Sequence, residues 1–101
     1  MLSVLIPTYN YNCFSLVLEL KKQADGLNFD YEIIVQDDCS SLYIEENSKI
    51  NSLQNCSFEI NSENLGRTKN RLTLIHKSKF DDLLFLDSDV FPKENDFIKK
   101  F

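Results

Sequence analysis

LLFLDSDVFP, residues 83–92, joins an apolar run to a pair of aspartates. Its apolar head, Leu83 to Leu86, does not alternate with polar residues. A run that short is too brief for a helix and reads as a strand covered on both faces, as when helices pack on each side of a parallel sheet. Working back toward the N terminus, Leu2 to Ile6, Tyr31 to Gln36 and Ser57 to Ile60 are runs of the same kind, and the last strand is expected over Asp82 to Leu86.

Helical patterns separate the runs. Cys13, Val17, Leu20 and Ala24 recur on one face, and Gly26 stands where a C-cap glycine would end the helix. Leu42 to Leu53 predicts a second helix, thinly apolar, with Glu45 and Glu46 suited to its first turn. Arg67 to Lys77 predicts a third, with Thr68, Leu72 and Ile75 on its apolar face and the single histidine, His76, near its C terminus. A fourth is expected just after Pro92. Strand and helix alternating in this way predict an α/β fold, a Rossmann-like three-layer sandwich around a mainly parallel central sheet.

Composition agrees and narrows the partners. The 101 residues are 43% hydrophobic and 12% aromatic, enough for one core and one domain. A formal charge of -5 argues against a nucleic-acid partner, which needs clustered Lys and Arg. Cys13, Cys39 and Cys56 lack metal-site spacing and read as free thiols in a reducing compartment. No apolar run reaches the ~20 residues of a membrane span, and no basic segment precedes the first strand as in a secretion signal. A cytoplasmic location is expected.

In sheets of this kind ligands sit beyond the carboxyl ends of the strands. Those positions hold Pro7, Thr8, Tyr9 and Asn10, then Asp37 and Asp38, then Asn61 to Asn64, then Asp87, Ser88 and Asp89. If the last strand continues, Asp87 and Asp89 point the same way, and two such charges ~4 Å apart repel by about 4 kcal/mol at an effective dielectric of 20. A cation is the expected remedy, and hard carboxylates with open positions suit Mg²⁺ or Mn²⁺, which complete their shells with water and phosphate. Read blandly, the same residues are solvated turn formers before Pro92. Asp37 or Asp38 can accept the imide N–H of a uracil or thymine base, or cap the next helix. Within NLGRTKNR, residues 64–71, Gly66 permits close backbone approach, and Arg67 and Arg71, four apart, can reach a diphosphate; the alternative is a solvated helix face.

Taken in order, SVLIPTYN, EIIVQDDCS, NLGRTKNR and LLFLDSDVFP resemble the successive motifs of family 2 inverting glycosyltransferases with the GT-A fold. The resemblance spans nearly the whole chain and implies the N-terminal, nucleotide-sugar-binding part of such an enzyme. It implies that Thr8, Tyr9 and Asn10 border the nucleotide, Asp38 reads the base and Arg71 lies near base or phosphate. Asp89 would bind metal, and Asp87 ribose or metal. The donor implied is a nucleotide-diphosphate sugar, a UDP-sugar first. The acceptor implied for the full-length protein is a glycan or lipid-linked hydroxyl, reached at the cytoplasmic face of a membrane. Two departures stand out: Cys39 replaces the glycine usual before the serine of the second motif, and Asn70 and Leu72 flank Arg71 where the family often has Ala and Asn.

Inverting transfer requires a general base at the acceptor hydroxyl. The family supplies it from a later segment, so no catalytic residue is assigned here, and truncation within an amphipathic helix bearing Phe97, Ile98 and Phe101 is expected. Such a chain would bind donor without transferring sugar, and would cover its exposed apolar surface by self-association. Two Mg²⁺-dependent phospho-aspartate proteins are the alternatives. A haloacid-dehalogenase-like phosphatase shares the apolar strand followed by Asp-x-Asp, and a receiver-like signalling module shares acidic groups at two parallel strand ends. Both require later Thr or Lys partners that are hard to place in this order.

Overall fold

The computed structural model describes residues 1–90, Pro92 and Ile98. Four strands, β1 (Leu2–Thr8), β2 (Tyr31–Asp37), β3 (Cys56–Ile60) and β4 (Leu83–Phe85), form one sheet in the order β3-β2-β1-β4. Every pairing is parallel, with Leu2 opposite Tyr31, Ile33 opposite Cys56 and Ser3 opposite Leu83. The chain leaves β1 toward β2 on one side and places β4 on the other, so the switch point of the sheet falls between β1 and β4.

Pleating divides the strand residues between two layers. Leu2, Val4 and Ile6 of β1, Ile33 and Val35 of β2, and Leu84 join Leu86 in the larger core, under α1 (Phe14–Asp25) and the Ile50 turn. Leu5, Ile34, Leu83 and Phe85 face the other way and meet Leu74 of α3 (Arg67–Lys77). The both-faced apolar character of residues 83–86 is thus used as expected. The second layer is thin, and its polar members are paired: Ser3 Oγ donates to Glu32 Oε2 at 2.6 Å.

Gly26 is the C-cap of α1 as expected, at φ -77°, a right-handed conformation open to any residue, and a left-handed residue, Asn28, follows in the turn. Two local expectations are corrected. The single helix expected over Leu42 to Leu53 is α2 (Ile44–Ser48) followed by a 3-10 turn, Lys49–Ser52. Ser48 and Ser52 donate to the carbonyls of Ile44 and Lys49, the local competition that makes serine a poor helix former. In α3 the buried side chains are Asn70 and Leu74, while Leu72 and Ile75 are exposed. Asn70 can face inward because its amide donates to the Gln36 carbonyl at 3.1 Å, a partner that apolar periodicity does not register. The helix expected after Pro92 lies outside the described residues, except that Ile98 is buried in the main core and its N–H donates to Gln23 Oε1 at 3.0 Å.

Candidate functional site

The carboxyl ends of β1, β2 and β4 and the start of α3 enclose an open cleft of about 640 Å³. Pro7, Thr8, Tyr9, Asp38, Gly66, Arg67, Asp87, Ser88 and Asp89 all line it, joined by Tyr11, Asn64 and Asn70. Asp38 and Asp89, which stand beyond the ends of two different strands, share this one cavity.

The β4 end departs from a continued strand. The strand stops at Phe85, and residues 87–90 form a turn closed by the Val90 N–H on the Asp87 carbonyl at 3.1 Å. Asp87 and Asp89 are exposed nonetheless, and both look onto the cleft. Arg67 Nη2 stands 3.9 Å from Asp87 Oδ1 in a loose, solvated pair. Three carboxylates against one guanidinium leave the lining negative before any phosphate arrives. Among the described residues no three His, Cys, Asp or Glu side chains converge as an all-protein cage. Two hard oxygen donors facing solvent fit a Mg²⁺- or Mn²⁺-sized ion that draws its remaining ligands from water and a diphosphate.

Asp38 is held rather than merely present. Its Oδ1 accepts the Leu65 N–H at 2.7 Å and the Asn61 amide at 3.0 Å, and its Oδ2 accepts the Gly66 N–H at 2.9 Å. Burial pushes this carboxyl upward, but the bonds from Leu65, Asn61 and Gly66 together outweigh it and hold the group below the usual carboxylate range. Gly66 sits at φ 87°, ψ 163°, a conformation essentially restricted to glycine, and so turns its N–H onto Asp38 while starting α3. The N-terminal end of that helix lies at the cleft, where its dipole favours an anion.

Three residues expected at the ligand do other work here. Asp37, almost fully buried, accepts the Ser40 N–H at 2.7 Å and the Ser40 hydroxyl, the turn-capping role. Asn10 binds the second loop: its N–H donates to Ser40 Oγ at 2.7 Å, and its Oδ1 accepts the N–H groups of Ser41 and Leu42. Arg71 lies with its guanidinium 4.1 Å from the centre of the Phe85 ring, outside the cleft lining, so Arg67 alone brings a guanidinium to the cavity. Cys39 adopts φ 66°, the left-handed conformation for which glycine is the ordinary choice at that motif position.

Sequence reading passed over Asn47 and Tyr11. Asn47, buried on α2, accepts the Cys13 N–H at 2.7 Å and donates to the Tyr11 carbonyl at 2.8 Å, pinning the loop that carries Tyr9 and Tyr11. Nothing in a thin Asn- and Ser-rich segment signals that role. Tyr11, two residues beyond Tyr9 on the same strand-end loop, was legible from its position.

A parallel sheet with carboxylates and a helix N terminus at its switch point is the architecture of a GT-A glycosyltransferase domain. The model for glycosyl transferase family 2 matches residues 3–101, and the chain belongs to that family. No curated protein sequence gives a significant match. Among solved structures, S. aureus TarS aligns at 30% identity with a TM-score of 0.69, over 89% of this chain and 17% of TarS. TarS 1–349 in complex with UDP aligns at 27% identity and TM-score 0.69, over 98% of this chain and 30% of that one. The mannosyltransferase PcManGT from Pyrobaculum calidifontis, in complex with GDP-Man and Mn²⁺, shares the fold at TM-score 0.70 and 16% identity, over 94% of this chain and 29% of its own. The chain therefore spans less than a third of the length of these relatives. Family membership sets aside the two phospho-aspartate alternatives. Among the described residues no helix is long and apolar enough to cross a membrane.

Proposed function

We propose that this chain is the donor-binding part of a family 2 glycosyltransferase and takes a nucleotide-diphosphate sugar, a UDP-sugar first, together with Mg²⁺ or Mn²⁺. The observation that carries the reading is the single cleft lined by Asp38, Asp87, Asp89 and the start of α3. The likeness to the UDP-bound TarS structure supports uridine as the first base to test.

In this reading Thr8 and Tyr9 border the nucleotide and Asp38 accepts a base imide N–H. Arg67 and the α3 N terminus meet the diphosphate. Asp89, with Asp87, would hold the cation, which when bound neutralises diphosphate charge and eases its departure from the sugar. The general base belongs to none of these 101 residues, so the isolated chain binds donor and does not transfer sugar. In the full-length protein the acceptor is a glycan or lipid-linked hydroxyl. Exposed Leu72 and Ile75 on α3 are where the isolated chain would self-associate.

Calorimetric titration with UDP, GDP and dTDP, with and without Mn²⁺, tests this. Metal-dependent UDP binding is expected, abolished in Asp89→Ala and weakened in Asp38→Ala. Binding that ignores both Mn²⁺ and Asp89→Ala would overturn it.

A further inference from the structure

Asp38 is connected to a surface ion pair by side chains that line no part of the cleft. At the last residue of α3, the Lys77 ammonium donates to Glu59 Oε1 and, at 2.6 Å, to Gln36 Oε1. The Gln36 amide then donates to Asn61 Oδ1 at 2.7 Å. The Asn61 amide in turn donates to Asp38 Oδ1 at 3.0 Å and to Asn70 Oδ1 at 2.8 Å. Asn70 is fixed independently by its own amide on the Gln36 carbonyl.

The two ends give this file a direction. An ammonium only donates and a carboxylate only accepts. With Lys77 on its oxygen, Gln36 must turn its NH₂ toward Asn61, which must turn its own NH₂ toward Asp38. Reversing either amide would set oxygen against oxygen or nitrogen against nitrogen, with Gln36, Asp38 and Asn70 all buried. At the receiving end Asp38 Oδ1 has two donors and Oδ2 has one, the Gly66 N–H. A carboxylate oxygen offers about two lone-pair positions, so one position on Oδ2 is left for a ligand.

We propose that Lys77, Gln36 and Asn61 act as positioning residues: a one-way hydrogen-bond relay that keeps the Asp38 carboxylate oriented with a single acceptor position open, so that discrimination between nucleobases is set from outside the cleft. The proposal rests on the reading that Asp38 meets the base. Uracil offers an imide N–H to that position. Cytosine offers a ring nitrogen lone pair there, which a fixed carboxylate repels. The relay makes the repulsion effective, because a loosely held carboxylate would swing aside.

The experiment compares UDP and CDP affinity, each with Mn²⁺, in the unaltered protein and in Gln36→Glu, Lys77→Met and Lys77→Arg. Gln36→Glu keeps a partner for Lys77 but removes the donor toward Asn61. The unaltered chain should prefer UDP by about tenfold or more, the value of a hydrogen bond to a charged group. Lys77→Arg, another donor-only cation, should keep that preference, and Gln36→Glu should lose most of it. Lys77→Met, changed at the solvent-facing end, serves if Gln36→Glu does not fold and should reduce the preference. In the nucleotide-free protein, the amide proton resonances of Leu65 and Gly66 should move in Gln36→Glu and stay in place in Lys77→Arg. Equal affinity for UDP and CDP in the unaltered chain would sink the base contact itself. A preference that survives both Gln36→Glu and Lys77→Met, with those two resonances unmoved, would overturn the relay alone.

Discussion

The chain has only two glycines, and the same Gly→Ala change should have opposite effects at each. At Gly66 an added Cβ meets nothing within 4 Å, so no steric clash enters. What remains is the backbone, held at φ 87°, ψ 163°. A non-glycine residue in that region costs about 1–3 kcal/mol, of which ~0.4–1 kcal/mol is returned because alanine restricts the unfolded chain. Gly66→Ala should therefore destabilise the fold by roughly 1–2 kcal/mol. Gly26 sits at φ -77°, and a Cβ there would lie 3.5 Å from the Gln23 carbonyl oxygen, an ordinary contact. Only the unfolded-state effect acts, and Gly26→Ala should stabilise by ~0.4–1 kcal/mol. With a urea slope of about 1–3 kcal/mol/M, the two midpoints should differ by roughly 1–2 M, on opposite sides of the unaltered protein. Gly66→Ala should also bind UDP more weakly, since the Leu65 and Gly66 N–H groups that hold Asp38 shift with the backbone. A Gly66→Ala midpoint equal to that of the unaltered protein would contradict the strain assigned to this backbone, because an added Cβ meets nothing within 4 Å that could compensate.

Acid should act through Asp38. Burial raises its carboxyl, but the bonds from Leu65, Asn61 and Gly66 leave the folded value below the unfolded one. The stability this group contributes is thus complete above its ordinary value, near pH 4, and is lost as pH falls through the depressed folded value. Asp25, lowered by its bonds from Tyr31 and Lys21, acts in the same direction, so the comparison must be with Asp38→Asn. That variant should show a shallower loss of urea midpoint below about pH 4, and an identical slope would contradict the assignment. Thiol chemistry should sort the three cysteines by environment. Burial pushes the Cys56 thiol up to about 11 and, reinforced by the charge of Asp37, raises Cys13, whereas Cys39 is exposed at the rim. A disulfide reagent near neutral pH should titrate Cys39 promptly and the other two only after unfolding; rapid loss of all three in the native protein would count against this packing.

Residue order alone is enough to assign the layers and the rim. Apolar runs of strand length, both-faced at residues 83–86, require a parallel sheet covered on each side, because that arrangement buries them with their backbone groups paired. Parallel strands then bring every carboxyl end to one edge, which is why Thr8, Asp38, Asp87 and Asp89 can be grouped from residue order alone. What each polar side chain does once it arrives depends on the neighbours that the folded chain brings to it. Asp37 and Asp38 are neighbours of identical chemistry, yet one closes a turn on Ser40 while the other holds the Leu65–Gly66 backbone at the cleft. Arg67 and Arg71 share a helix, and the Phe85 ring draws the second away. Asn70 displaced Leu72 and Ile75 from the buried face of α3 because a carbonyl on β2 was within reach. Hydrophobic periodicity reports a one-body preference of each residue for burial. Hydrogen bonds between residues far apart in sequence, 41 positions for Lys77 and Gln36 and 75 for Ile98 and Gln23, depend on where two segments meet, and only the assembled fold fixes that.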